Sequence, residues 1–128
     1  MSDITTIYQE DGKDKVYQGA ILKMNVHLEP IDGLHMDSYN FICVAYCSSA
    51  KKIIVSKNKC WRVDADNYMF TVDTSLLTVG DMYIMVLADI PDSDMPDAVR
   101  VEPVVIKTGL EVARPPFDFN EIRGYGVS

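Results

Sequence analysis

The sequence predicts an all-β fold, a sandwich of seven to nine short antiparallel strands. Runs of β-branched and aromatic residues recur, separated by turn signals about every eight to twelve residues. Several runs alternate apolar and polar residues with a period of two, the pattern of a strand with one buried face. The near absence of a 3.6-residue period argues against a helical bundle, which leaves a small closed barrel as the alternative architecture.

Composition and charge narrow the classes of function. The 128 residues suffice for one domain with a hydrophobic core and no disulfides. The net charge of −7 repels phosphate backbones, so nucleic acid is not an expected partner. The densest basic stretch, Lys51–Lys59, is typical of a strand flanked by solvated lysines.

The N-terminus and the cysteines indicate a cytoplasmic site of synthesis. Residues 1–15 lack the apolar segment of a signal peptide, and the longest apolar runs are too short to span a bilayer, so no membrane partner is expected. Cys43 and Cys47 lie four residues apart on one strand, which separates their Cα atoms by about 13 Å, beyond disulfide reach. Cys60 is further away in the sequence and could lie near Cys43 or Cys47 only if the folded chain brings them together. We expect all three thiols to be reduced.

The first third of the chain predicts edge strands and one half-buried strand. Ile4–Tyr8 and Lys15–Gln18 are short runs crowded by charges on either side of an Asp11-Gly12 turn, which favours an edge position. Ala20–Glu29 alternates strictly. Its apolar side consists of Leu22, Met24, Val26 and Leu28.

The middle of the chain predicts further strands around a short helical turn. Tyr39–Cys47 is apolar at nearly every position, so we expect one face on the core and the other against another layer or a neighbouring molecule. Shorter strands are predicted at Lys51–Ser56, Cys60–Asp64 and Tyr68–Val72. Asp73–Asp81 has capping residues around two leucines, which predicts one helical turn.

The segment Met82–Gly109 organises the predicted fold. Met82–Asp89 is apolar on both faces and should be a central strand. An acidic loop, Asp89–Asp97, leads into a long final strand over residues 98–112. Pro103 interrupts that strand and marks an edge segment, a bulge or a switch between sheets.

The composition changes after the sandwich, which is predicted to occupy residues 1–112. Residues 113–128 contain two prolines, two glycines and aromatics without periodicity, which predicts an extended C-terminal arm. The arm's candidate partner-binding residues are Phe117, Phe119, Ile122 and Tyr125. Docking on a neighbouring subunit is the functional interpretation; a disordered tail and a tail folded back on its own domain are the alternatives.

Candidate metal and catalytic residues do not form a recognisable motif. The aspartates at 89, 92, 94 and 97 miss the spacing of a calcium-binding EF-hand loop, so a solvated turn is favoured. Asp64, Asp66 and Asp73 at strand ends resemble turn formers, and a small hydrolase built on them is a third hypothesis. His27 and His35 have no zinc-type spacing to the cysteines. We therefore predict no enzyme activity, no metal and no cofactor.

The aromatic residues allow two interpretations. Trp61 and the tyrosines at 17, 39, 46, 68 and 83 fill a core in most sandwiches. Exposed together, they would form a platform for sugars. The alternative function is therefore a soluble carbohydrate- or ligand-binding sandwich.

Several segments resemble a known class of module. Tyr17-Gln18-Gly19 ahead of the alternating strand Ile21–Glu29 resembles the opening of immunoglobulin-like modules at the N-termini of phage baseplate and tail-fibre proteins. Tyr39–Ser56, Asn67–Val72 and Leu87–Gly109 also resemble it, so the resemblance covers Val16–Val112.

The resemblance implies an immunoglobulin-like sandwich and a non-enzymatic virion structural protein, assembled in the host cytoplasm. Such a protein would be an adaptor or decoration module of the tail, neck, fibre attachment or capsid. In the larger proteins a fibre shaft or receptor-binding region follows the module; here the sequence ends, so receptor binding is not expected. The implied partners are other virion structural proteins and further copies of the same chain.

Overall fold

Eight strands and one short helix make up the part of the chain described by the computed structural model, residues 14–126, with side chains described through residue 124. The strands are β1 Asp14–Tyr17, β2 Ile21–His27, β3 Asn40–Ser48, β4 Lys51–Ser56, β5 Trp61–Asp64, β6 Asn67–Asp73, β7 Gly80–Pro91 and β8 Val99–Ala113, and the helix is α1 Phe119–Gly126. Single 3₁₀ turns lie at Met36–Ser38, Lys57–Lys59 and Thr74–Leu76. The all-β prediction is confirmed. The predicted strand Ile4–Tyr8 lies outside the described residues.

The strands form a five-stranded sheet in the order β1-β8-β7-β3-β4 and a three-stranded sheet in the order β2-β6-β5. Neighbouring strands are antiparallel, with one exception: β1 pairs with β8 in parallel. The prediction of antiparallel strands throughout was therefore wrong. No hairpin joins these two strands, because β2 follows β1 into the other sheet, so no tight turn fixes their relative direction.

One hydrophobic core joins the two sheets, because the buried side chains of both belong to one contact cluster. Leu22, Met24 and Val26 of β2 are buried, as the period-two pattern predicted, and Leu28 is buried beyond the strand end. From the five-stranded sheet, β3 contributes Phe41, Cys43 and Ala45. β7 contributes Met82, Ile84, Val86, Ala88 and Ile90.

The turn between β6 and β7 confirms the predicted helical turn. Asp73 accepts a hydrogen bond from the Ser75 backbone N–H at 3.0 Å, which caps the turn. Leu77 is buried at its end. Thr74 is fully buried, and its Oγ1 accepts from the Gly19 N–H at 3.0 Å and donates to the Ala20 carbonyl at 2.7 Å. This hydroxyl ties the turn to the chain entering β2.

The long final strand passes through Pro103 without a break. Pro103 pairs with Leu87 of β7, while β1 pairs with β8 only from Leu110 to Ala113. Among residues 14–126, no strand pairs with the other side of β8 at Pro103, so Pro103 lies on an edge segment of this described sheet, the first of the three predicted possibilities. Gly109 has a φ of +79°, and the register with β7 shifts beside it, between the pairs of Asp81 and Tyr83.

The predicted extended arm was wrong, because residues 119–126 are helical. The Asp118 carboxylate accepts the Asn120 N–H at 2.8 Å, and its carbonyl accepts the Glu121 N–H at 3.1 Å. These bonds satisfy N–H groups that a helix start leaves unpaired. An aspartate followed three residues later by glutamate is a known start signal, which the neighbouring prolines and glycines obscured.

Candidate docking face

The two central strands of the five-stranded sheet are apolar on both faces, but the three-stranded sheet covers only one of them. Side chains alternate between the faces of a strand. Phe41, Cys43 and Ala45 of β3 therefore point into the core, and Ile42 and Val44 point away from it. On β7, Tyr83, Met85 and Leu87 alternate with buried neighbours in the same way. The outward residues are half-buried, and no second layer of the described part of the chain covers them.

Strand pairing aligns these outward side chains into rows. One row consists of Pro103, Leu87 and Ile42. The next row consists of Val105, Met85, Val44 and Ile54. We call the whole set the outer apolar face: Ile42, Val44, Tyr46, Ile54, Tyr83, Met85, Leu87, Val101, Pro103 and Val105.

Three aliphatic residues of the outer apolar face are open to solvent. Ile54 is 62% exposed, Val101 57% and Val105 54%. Single exposed aliphatics are ordinary on protein surfaces, whereas adjoining apolar rows that span four strands form a continuous apolar patch. Four strands spaced about 4.8 Å apart make the face roughly 19 Å wide, and six residue steps of about 3.4 Å make it roughly 20 Å long.

A tyrosine pair closes one end of the outer apolar face. The rings of Tyr46 and Tyr83 stack with centroids 5.7 Å apart and planes 26° from parallel. In the same row, Lys107 pairs with Tyr83 and Lys52 pairs with Tyr46. At the opposite end, the row of Val101 contains one carboxylate, Asp89. Tyrosine in the interior of an apolar patch with charges at its rim is typical of protein interfaces.

The aromatic residues considered for a sugar platform, which was the alternative to the core interpretation, are distributed over different surfaces. Tyr39 and Tyr68 are buried, which agrees with the core interpretation. Trp61 is 44% exposed, but it lies on the three-stranded sheet, paired with Met69. Tyr46 and Tyr83 lie on the other sheet.

The candidate arm residues divide between two environments. Phe119 packs on its own domain, where its ring covers Gly19. Phe117 is 47% exposed and Ile122 50%, so both present apolar surface to solvent. The side chain of Tyr125 lies outside the described residues. The arm is therefore anchored at Phe119, and its partner-binding role stays a prediction for Phe117 and Ile122.

The acidic loop is a closed turn. The Asp92 N–H donates to the Ala98 carbonyl, and the Ala98 N–H donates to the Met95 carbonyl, both at 2.9 Å. The Asp92 carboxylate accepts the Asp94 N–H and pairs with Arg100. Asp92 is thus engaged with its own loop and its own strand, as the solvated-turn interpretation requires. Among residues 14–126, no group of three or more His, Cys, Asp or Glu side chains is arranged to hold a metal ion.

The other candidate carboxylates do not converge on one site. Asp64 accepts hydrogen bonds from the Asp66 N–H and from Asn67, which makes it a turn former. Asp66 contacts His35 Nδ1 at 2.8 Å. Asp73 lies at the far end of β6, about 20 Å from Asn67 at strand spacing.

Both arginines pair with carboxylates, of which Glu102 lies on the strand of Arg100 itself. Arg100 contacts Asp32 at 2.7 Å and Asp92 and Glu102 at 2.9 Å, and these hydrogen bonds raise the pKa of its guanidinium. The contacts tie the acidic loop to the turn after β2. Arg62 pairs with Asp37 at 2.9 Å.

Asp37 sits at the centre of a structural network. It accepts hydrogen bonds from Arg62 Nε at 2.9 Å and from the Tyr68 hydroxyl at 2.6 Å. These two bonds lower the pKa of the carboxyl group. Burial, and then the bond to Asp37, raise the pKa of Tyr68 to about 12. Both groups therefore keep their charge states near neutral pH, as a structural rather than a proton-transferring pair does.

Lys57 fixes the 3₁₀ turn before β3 to the sheet. Its ammonium group donates to the carbonyls of Met36, Asp37 and Tyr39 at 2.8–3.1 Å. It also lies 5.5 Å from the centre of the Phe41 ring. The lysine that follows β4 is thus a structural residue and not a solvated one.

All three cysteines are free thiols, and the fold brings two of them together. The side-chain hydrogen bond with Cys60, and then burial, raise the pKa of the Cys43 thiol. Burial raises the pKa of Cys47 to about 11. Raised pKa values disfavour the reactive thiolate form at Cys43 and Cys47, whereas the hydrogen bond with Cys43 lowers the pKa of the Cys60 thiol.

Comparison of the chain with protein-family models, with curated proteins and with solved structures gives no match.

No helix among the described residues is long and apolar enough to cross a membrane.

The sequence indicated part of the outer apolar face. Tyr39–Cys47 was expected to place its second apolar face against another layer or a neighbouring molecule. Tyr83, Met85 and Leu87 are apolar in the same alternating way, but the pattern did not show which face of Met82–Asp89 the second sheet covers.

Proposed function

We propose that this chain is a non-enzymatic structural protein of a phage virion, an assembly or decoration module that docks on neighbouring subunits through its outer apolar face. The observation that carries the proposal is that face itself, a four-stranded surface with three exposed aliphatics, two of which, Val105 and Ile54, lie in the same row. Burying such a surface contributes about 25 cal/mol per Å². Contact with another subunit would remove this apolar surface from water and so stabilise the complex.

The finer fold assignment supports the same proposal. We infer an immunoglobulin-like sandwich from the strand order β1-β8-β7-β3-β4 against β2-β6-β5. Named in the immunoglobulin order, β2 to β8 become B, C, C′, D, E, F and G, which places G, F, C and C′ in one sheet and B, E and D in the other. The phage-type resemblance of Val16–Val112 spans this same set of strands.

The C-terminal helix offers a second contact. Phe117 and Ile122 are half-exposed. The helix also forms a groove of about 490 Å³ with Gln18 and Asp73, which Phe119 and Arg123 help to line. The helix would add to the surface that contacts a partner, while the outer apolar face remains the main contact.

Particle purification tests the proposed function. In gradient-purified particles of the phage that encodes the chain, we expect the wild-type protein to co-sediment with the particles. Val105→Glu should be largely lost from them, because a charge in an apolar contact is left desolvated. Thr71→Glu, the same charge change at an exposed position of the three-stranded sheet, should be incorporated normally. A wild-type chain found only in the soluble fraction contradicts the proposal.

A further inference from the structure

We infer that the outer apolar face binds a second copy of this chain, with the two faces packed against each other around a two-fold axis that runs across the strands. The inference deepens the proposed function, on which it rests, by naming one partner of the same face. Face-to-face packing of two identical sheets requires the axis to lie in the plane between them. The two-fold axis can then run in one of two simple directions within that plane, either along the strands or across them.

The charges on the rim distinguish these two orientations. Lys107 and Lys52 flank the Tyr46–Tyr83 pair at one end of the face, and Asp89 lies in the row at the other end. An axis along the strands places Lys107 over the partner's Lys52, which is a like-charge contact. An axis across the strands instead places the lysine row of each copy over the Asp89 row of the other. Opposite charges then meet at both ends of the interface.

The apolar rows fit the same orientation. With the axis between the Met85 and Leu87 rows, each Val105–Met85–Val44 row lies over a Pro103–Leu87–Ile42 row of the second copy. The tyrosine pair then lies over Asp89 and Asn40, so the tyrosine hydroxyls face a carboxylate and an amide. Sheets packed in this way lie about 10 Å apart, with strands about 30° from aligned.

The size of the face sets the expected strength of the contact. Two faces of roughly 400 Å² give on the order of 800–1,000 Å² in total, at the small end of specific interfaces. The chain's net charge of −7 also opposes self-association in dilute solution. We therefore expect a weak dimer, with a dissociation constant on the order of micromolar or above. The same contact becomes effective where an assembly holds copies close together.

A charge swap tests the inference on the purified full-length chain. Sedimentation velocity over a concentration series is expected to show a monomer–dimer equilibrium for the wild type. Lys107→Glu alone and Asp89→Lys alone should each raise the dissociation constant about tenfold, because each places like charges together at both ends of the interface. The double variant should return to within about threefold of the wild type, since position 107 of one copy then lies diagonally opposite position 89 of the other with opposite charge. Within one chain these residues are separated by six residues of β7, about 20 Å, so the rescue must act between copies.

Lys23→Glu is the matched control, because it makes the same charge change at an exposed position of the three-stranded sheet. It should leave the equilibrium unchanged, and circular dichroism should show all four variants folded. A double variant as weak as its parents overturns the proposed orientation, and so does Lys23→Glu weakening the dimer as much as Lys107→Glu. A wild type that stays monomeric up to about 500 μM overturns self-association. The particle experiment would then still test the proposed function, and the partner of the outer apolar face would be a different virion subunit.

Discussion

Replacing Phe41 by alanine is expected to lower the free energy of unfolding by about 3–5 kcal/mol, the range for a phenylalanine removed from a tight core. The side chain is fully buried. Its ring meets Tyr68 edge-on with centroids 5.1 Å apart and meets Tyr39 at 6.3 Å. Lys57 lies over the same ring, so the substitution removes packing from both sheets and one partner of the ammonium group. Urea denaturation followed by far-ultraviolet circular dichroism measures the change.

Ile54→Ala is the matched control for this prediction. Ile54 is a large apolar residue on the neighbouring strand β4, but it points to solvent on the outer apolar face. Its loss should change the stability by no more than about 0.5 kcal/mol. If Phe41→Ala costs less than about 1 kcal/mol, or if both substitutions cost the same, the assignment of the two faces is wrong.

Replacing Gly19 by alanine should destabilise the chain by roughly 2–4 kcal/mol and release the C-terminal helix. Gly19 has a φ of +108°, a conformation that costs an L-residue about 1–3 kcal/mol. An added Cβ would also lie 2.7 Å from Cδ2 of the Phe119 ring, closer than two carbon atoms pack. Urea denaturation reports the first effect. Trypsin cleavage at Arg123, within the helix, should become faster if the helix is displaced.

Gly33→Ala distinguishes the cost of a side chain at positive φ from the cost of the clash with the Phe119 ring. Gly33 also has a positive φ, +77°, but an added Cβ would meet no atom within 4 Å. It should show the backbone cost without faster cleavage at Arg123. Adding Phe119→Ala to Gly19→Ala should recover part of the lost stability. Equal cleavage rates in the Gly19 and Gly33 variants would contradict the docking of Phe119 on the turn before β2.

The strands were predictable because their signal is local. The alternation of β2 and the doubly apolar β3 and β7 follow from neighbouring residues, and the structure buries the predicted side of β2. The turn at Thr74–Leu76 was predictable for the same reason, since its capping residue lies in sequence beside it. The parallel pairing of β1 with β8 was not, because it joins segments about a hundred residues apart.

The candidate site was less predictable because it depends on relations between elements. No local pattern says which face of β7 the second sheet covers, so the outward rows could not be separated from the core rows. The ion pairs of Arg100 come from Asp32, 68 residues away, and from the acidic loop. The helix at residues 119–126 had a local signal in Asp118 and Glu121, but its aromatic residues were interpreted as an arm's anchors. One of them, Phe119, is instead an anchor to the chain's own domain.

The central claim is that the outer apolar face contacts another subunit. Site-specific photo-crosslinking tests it most directly, with a benzophenone side chain introduced at Val105 in cells that produce the particles, and with the same group at Thr71 as the control. The account predicts a crosslinked product between position 105 and a second polypeptide, either another copy or another virion protein, and little product from position 71. A yield at position 105 no higher than at position 71 would contradict it.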